Sequence, residues 1–150
     1  MSTSSKFEDR RRARRRALQA LYQWHLTDQA PSEILLQFHE EQDFSNVDNA
    51  LFTTLVTKIA ANQGEIDEKI TPFLDRPIDQ LDVIEHIILS IGAYELVHDP
   101  AMPVEVVIDE SVNLAKQFGA EQGHSFINGV LDKAAKVWRD PANFSPFKPV

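Results

Sequence analysis

Apolar side chains recur at three- and four-residue steps along most of this chain, most cleanly at Val47, Leu51, Phe52, Leu55, Val56, Ile59 and Ala60. That spacing gathers them on one face of a helix, which must then be covered by another helix. The same period predicts a first helix over about 7–26, then one starting near Pro31 with Ile34, Leu35 and Phe38 inward. Ser45 or Asn46 is expected to cap the third helix. Gly64 is expected to break the chain, leaving a short fourth helix with Ile66, Ile70 and Phe73. Pro77 and Asp79 signal the start of a fifth helix, apolar around much of its circumference from Leu81 to Leu96 and so placed centrally. A sixth helix runs from Val104 to Phe118 with Gly119 at its end, and a seventh spans about 123–138. Val104–Ile108 alone could form a strand, but no second strand-like run exists to pair with it. The fold class is therefore all-α, with about seven helices in two packed bundles. The Gly64–Pro77 break divides residues 10–139 into parts of about 10–74 and 75–139. Residues 1–9 are expected to form a flexible extension, and 140–150, with three prolines, a loose tail.

Charge is distributed unevenly over this helical pattern. Residues 1–16 carry Lys6 and the arginines 10, 11, 12, 14, 15 and 16 against Glu8 and Asp9, a net of +5; with −8 for the whole chain, the rest carries −13. A basic arm on an acidic body points to a polyanionic partner. Local stability does not explain the placement, because a cation near a helix N-terminus opposes the dipole by roughly 0.3–1 kcal/mol. At about 100° per residue, Arg10 and Arg14 share the azimuth of Ala17, Leu21 and Trp24, so the first turns are expected to overhang the body. Arg12, Arg15, Arg16, Gln19, Tyr22 and Gln23 then form the polar face. Arginine, with a planar fork suited to phosphates and to base stacking, favours nucleic acid over a merely solvated charge run.

Other chemistry finds little support. The chain has no cysteine, which excludes disulfides and thiolate metal sites and accords with a cytoplasmic setting. No apolar run is long enough to span a membrane, and no apolar segment follows the basic start as in a secretory signal. There is no Walker loop, GxGxxG or HExxH motif. Glu85 and His86 are adjacent on one helix and diverge by about 100°. Asp109-Glu110 and Glu40-Glu41 read as solvated helix ends, and His124-Ser125 as a helix start. No catalytic residue, metal site or cofactor is expected.

Four motifs then occur in order: the arginine run leading into Ala17-Leu-Gln-Ala-Leu-Tyr-Gln-Trp24; Ile91-Gly-Ala-Tyr-Glu-Leu96; Pro103-Val-Glu-Val-Val-Ile-Asp-Glu110; and Leu114-Ala-Lys-Gln-Phe-Gly119 followed by Phe126-Ile-Asn-Gly-Val-Leu-Asp-Lys133. The last is the most specific, since Asn128-Gly129 inside a helix runs against propensity. From Arg10 to Trp138 the chain resembles the NusB family of bacterial transcription antitermination factors. The resemblance implies two perpendicular three-helix subdomains. It also implies a heterodimer with the ribosomal protein NusE, joint recognition of single-stranded boxA RNA in ribosomal RNA operon transcripts, and action on the RNA polymerase elongation complex with other Nus factors. Homodimerisation of the free chain through the partner surface is a further family theme.

Carried over residue by residue, the resemblance implies RNA contacts by Arg10, Arg11, Arg12, Arg14, Arg15, Arg16, Tyr22, Gln122 and Phe126, with Glu121 nearby. It implies a partner face at Tyr22, Glu85 and Gln122. This chain carries Gln122 and Ser125 where relatives often have Asp and Lys, which removes a carboxylate and a potential phosphate contact. Two alternatives stay open: an accessory module in ribosome assembly or RNA modification, as in NusB-like domains fused to RNA methyltransferases, and a protein-only scaffold.

Overall fold

The computed structural model describes residues 3–119 and 123–140, with side chains from residue 6 onward. Among these residues there are six α-helices and no strand: α1 (Thr3–Leu26), α2 (Pro31–Glu41), α3 (Asn49–Ile70), α4 (Val83–His98), α5 (Val104–Phe118) and α6 (Gly123–Trp138). The chain divides into two compact units, Met1–Ala61 and Asn62–Val150.

The all-α class follows from the periodicity, and the expected count of about seven helices is approximate: the described residues form six α-helices and two 3-10 turns. The expected fourth helix is the second half of α3, which passes through Gly64 and departs from helical geometry at Asn62 (φ −120°, ψ 18°). Phe73 falls in a single 3-10 turn, Thr71–Phe73, because Pro72 allows the helix no further. A second 3-10 turn spans Ile78–Gln80. Helix α1 starts at Thr3, so residues 3–9, expected as an extension, are helical. The tail 141–150 lies outside the described residues.

In the first unit α1 packs along α2, and the buried face of α1 is made of small and apolar residues: Ala13, Ala17, Leu18, Ala20 and Leu21. Phe38 of α2 stacks on Phe52 of α3, with ring centroids 6.0 Å apart. Asp48, not Ser45 or Asn46, caps α3: its carboxylate accepts from the Leu51 N–H at 3.0 Å. Its own N–H donates to the Asp9 carbonyl at 3.0 Å, tying α1 to the start of α3.

In the second unit α4, α5 and α6 pack pairwise, and α4 is buried from Ile87 to Ala93, as its apolar circumference requires. Gly92 permits the closest approach: a Cβ there would lie 2.7 Å from a Leu131 methyl of α6 and 3.0 Å from the Ser111 hydroxyl of α5. Asp82 caps α4, accepting from the N–H groups of Ile84 and Glu85. At the other end Arg139 donates to the carbonyls of Leu96, Asp99 and Met102 at 2.6, 3.1 and 2.9 Å. One guanidinium thus satisfies carbonyls at the α4 C-terminus and its exit turn, where a cation also suits the helix dipole.

Candidate nucleic-acid interface

The arginines of α1 divide into two groups. Arg14 lies on the buried stripe beside Ala13 and Ala17 and is only 2% exposed. Arg10, on the same stripe, reaches Asp48 at 3.9 Å with a side chain 22% exposed. The expected overhang is therefore wrong: the turns that carry Arg10 and Arg14 are packed, with the guanidinium groups drawn into the fold. The stripe continues because a long arginine stem covers apolar surface almost as an aliphatic side chain does.

The other arginines stand further out. Arg11 pairs with Glu8 at 3.9 Å and lies over the Phe7 ring, 5.2 Å from its centroid. Arg12, 41% exposed, pairs with Asp9 at 3.3 Å and donates to the Asn46 carbonyl at 3.3 Å. Arg16 donates to the Gln42 side chain and to the Asp43 carbonyl and lies over the Phe44 ring. Arg15 is half-buried, with a buried Nε that has no hydrogen-bond partner among the described residues. Arg12 and Arg16 thereby pin the loop that leads from α2 to α3. Sequence reading missed this, because backbone carbonyls accept without any residue signature.

Asp43 in that loop is held below the usual carboxylate range, mainly by the Ser45 backbone N–H and hydroxyl, with a smaller contribution from Arg16. The ion pairs of Arg11 and Arg12 are partly exposed, and such pairs contribute only about 0–1 kcal/mol. An incoming phosphate can replace them at little cost. Tyr22, two turns further along α1, is 40% exposed.

The second unit carries a separate patch. Glu85 sits in the first turn of α4 with its carboxylate against Gly123, where a side chain would lie 3.2 Å from Oε2. Burial and the neighbouring Asp82 charge raise the Glu85 pKa, and Arg76 opposes them. The Arg76 guanidinium lies over the Phe126 ring at 4.4 Å and is held by Asp75 at 2.7 Å. Phe126 borders a cleft of about 180 Å³ with Phe73, Asp75, Ser125, Gly129, Val130 and Lys133. Gln122 and Glu121 lie outside the described residues. The involvement of Arg76, Asp75 and Lys133 was not foreseen, since an Asp-Arg-Pro turn reads only as a connection.

The nearest approach to a catalytic constellation is His86, Asp67 and Ser90. His86 Nε2 meets Asp67 Oδ1 at 2.7 Å, but the fully buried Ser90 hydroxyl donates to the His86 backbone carbonyl rather than to the ring. A nucleophile must engage its base, so this is a structural network. The described residues include no His, Cys, Asp and Glu group able to hold a metal ion, and no helix among them is long and apolar enough to cross a membrane.

Residues 11–136 match the model of the NusB family. The chain is 45% identical over 130 residues to the transcription antitermination protein NusB of Xanthomonas axonopodis pv. citri, covering 87% of this chain and 82% of that one. The NusB of Xanthomonas oryzae pv. oryzae is equally similar, with 83% of its length covered. Among solved structures, T. maritima NusB superimposes with a TM-score of 0.73 at 30% identity, covering 84% of this chain and 89% of that one. A chain from a crystal structure of antitermination factors NusB and NusE in complex with dsRNA gives 0.76 at 29% identity, covering 90% and 98%.

Proposed function

The chain belongs to the NusB family, and on that premise we propose that it is an RNA-binding transcription antitermination factor. With a NusE-type ribosomal protein it recognises boxA RNA in ribosomal RNA operon transcripts and keeps RNA polymerase processive in the company of other Nus factors. It acts in the cytoplasm and without catalysis of its own.

The observation that carries this reading is the outer guanidinium groups of α1, those of Arg11 and Arg12, beside the charge of Arg10, Arg14, Arg15 and Arg16. Arg11 and Arg12 hold only partly exposed, weak pairs, and Tyr22 presents an exposed ring further along the same helix. Specific recognition of single-stranded RNA combines aromatic or guanidinium stacking with contacts to the phosphates. Arg14 and Arg10, drawn into the fold, hold the helix and add positive potential. The acidic remainder of the chain repels RNA elsewhere and suits a basic partner protein. Glu85, whose charge is disfavoured by burial and by Asp82, is the residue expected to meet a cation of that partner, and Tyr22 and Gln122 are proposed as further partner contacts.

The test is the affinity of a fluorescent boxA RNA for the full chain, alone and with its NusE-type partner. The partner should tighten binding at least tenfold. Equal affinity with and without it contradicts joint recognition, and no RNA binding in either case contradicts the reading altogether. A pull-down with and without ribonuclease separates this reading from a protein-only scaffold.

A further inference from the structure

Glu8 and Asp9 are the only acidic residues among the first 27 of the chain, and they stand directly before the arginine run. Helix stability does not place them there. An anion is favoured in the first turn of a helix and the effect fades beyond it. Helix α1 starts at Thr3 and has no acidic residue in its first turn. Glu8 and Asp9 follow one turn later.

Their spacing aims them at the arginines. Residues three apart on a helix are neighbours, so Glu8 faces Arg11 at 3.9 Å and Asp9 faces Arg12 at 3.3 Å. Arg10 is different, since its carboxylate is that of Asp48, which also caps α3. We propose that Glu8 and Asp9 are an autoinhibitory guard on the arm: they occupy Arg11 and Arg12 in place of RNA phosphate and so lower the affinity of the chain for any RNA. The proposal rests on the RNA-binding reading and adds to it a regulation of the same site.

The geometry suits exchange. Asp9 holds Arg12 through one nitrogen, Nη1, which also donates to the Asn46 carbonyl, both at 3.3 Å. A phosphate can take two nitrogens of the planar fork, in shorter charge-assisted bonds of about 2.7–2.9 Å. Phosphate therefore displaces the carboxylates, and each displacement subtracts from the gain in binding. The Arg11 guanidinium also lies over the Phe7 ring, 5.2 Å from its centroid, so neutralising Glu8 does not set it adrift.

The charge of the arm gives the guard a purpose. Non-specific binding grows with the number of phosphates that cations neutralise, and residues 1–16 carry seven cations. Without Glu8 and Asp9 the arm would carry +7 rather than +5 and would take up RNA on charge alone. With Arg11 and Arg12 already paired, the chain binds more weakly by itself. Stable binding then requires what charge does not supply, contacts from the partner protein and to the bases.

Glu8→Gln and Asp9→Asn keep the side-chain shapes and leave the arginines in place. The full chain and these variants, each also combined with Arg11→Ala or Arg12→Ala, are titrated at fixed salt against fluorescent single-stranded boxA RNA and a scrambled RNA of the same length. Each carboxylate substitution should tighten both RNAs about two- to fivefold, as for release of an exposed ion pair, with the thermal midpoint close to the parent's. Glu8→Gln should gain little beside Arg11→Ala, and Asp9→Asn little beside Arg12→Ala, because the pair is already absent there. If the gains are as large in the alanine backgrounds, the carboxylates only repel the strand from a distance and the guard is overturned. If the carboxylate variants bind no more tightly than the parent while Arg11→Ala and Arg12→Ala lose affinity, the guard is overturned and the arm reading stands. If the alanine variants bind as the parent does, or if no form of the chain binds RNA, the arm reading falls with it.

Discussion

Glu85 is a carboxylate kept where its charge is disfavoured. Partial burial and Asp82 raise its pKa above the ordinary 4.5, with Arg76 pulling the other way. The folded state therefore holds this proton more tightly than the unfolded chain does, and stability falls as pH rises from below 4.5 through the raised value. Glu85→Gln should thus be more stable than the parent at neutral pH. Thermal unfolding followed against pH should show that gap closing as the pH drops below 4.5. The same substitution should weaken the partner complex, as expected where a strained charge is retained for binding. At this scale the sequence conveyed residue types but not their settings. The azimuth of Arg10 and Arg14 was legible, but not that a guanidinium could enter the fold there. Phe126 was legible through its motif, whereas Arg76, which covers its ring, was not. The pairing of those two depends on how the Asp75–Pro77 turn is folded against α6.

Helices were the most legible scale, because a 3.6-residue period survives any packing arrangement. The ranges expected for α5 and α6 match those observed. The error at α3 has a physical reason. Glycine disfavours a helix, yet Gly64 has no positive φ and open space around it, so the helix tolerates it. The departure falls instead at Asn62, which is buried and adopts φ −120°. The caps were misplaced by two or three residues for a similar reason: several polar residues precede each helix, and only geometry shows which of them reaches an N–H. Two predictions belong here. Asp82→Ala should lower stability by about 0.5–2 kcal/mol, and Asp82→Asn by much less, since asparagine still accepts from Ile84 and Glu85. Gly92→Ala should cost about 1–3 kcal/mol by denaturant unfolding, because Leu131 is itself fully buried and its methyl cannot easily yield. A neutral Gly92→Ala would mean that α4 and α6 pack less closely than described.

For the whole molecule, the separation of charge matters more than its sum. A net −8 would suggest a chain that avoids nucleic acid, and only the +5 carried by residues 1–16 reverses that reading. The arm is anchored as well as charged: Arg12 and Arg16 reach the loop after α2, so they stabilise the first unit while facing outward. We propose two competing roles for each such arginine, with phosphate displacing its weaker intramolecular partners. The most direct measurement is the salt dependence of boxA RNA affinity for the partner complex, with the parent chain and with Arg11, Arg12 and Arg16 replaced by alanine. Each lost single-strand phosphate contact should reduce the slope of log affinity against log salt by about 0.7, so the triple variant should fall about two below the parent. Equal slopes, with folding intact by thermal midpoint, would mean that these guanidinium groups serve the protein's own loop and not the RNA.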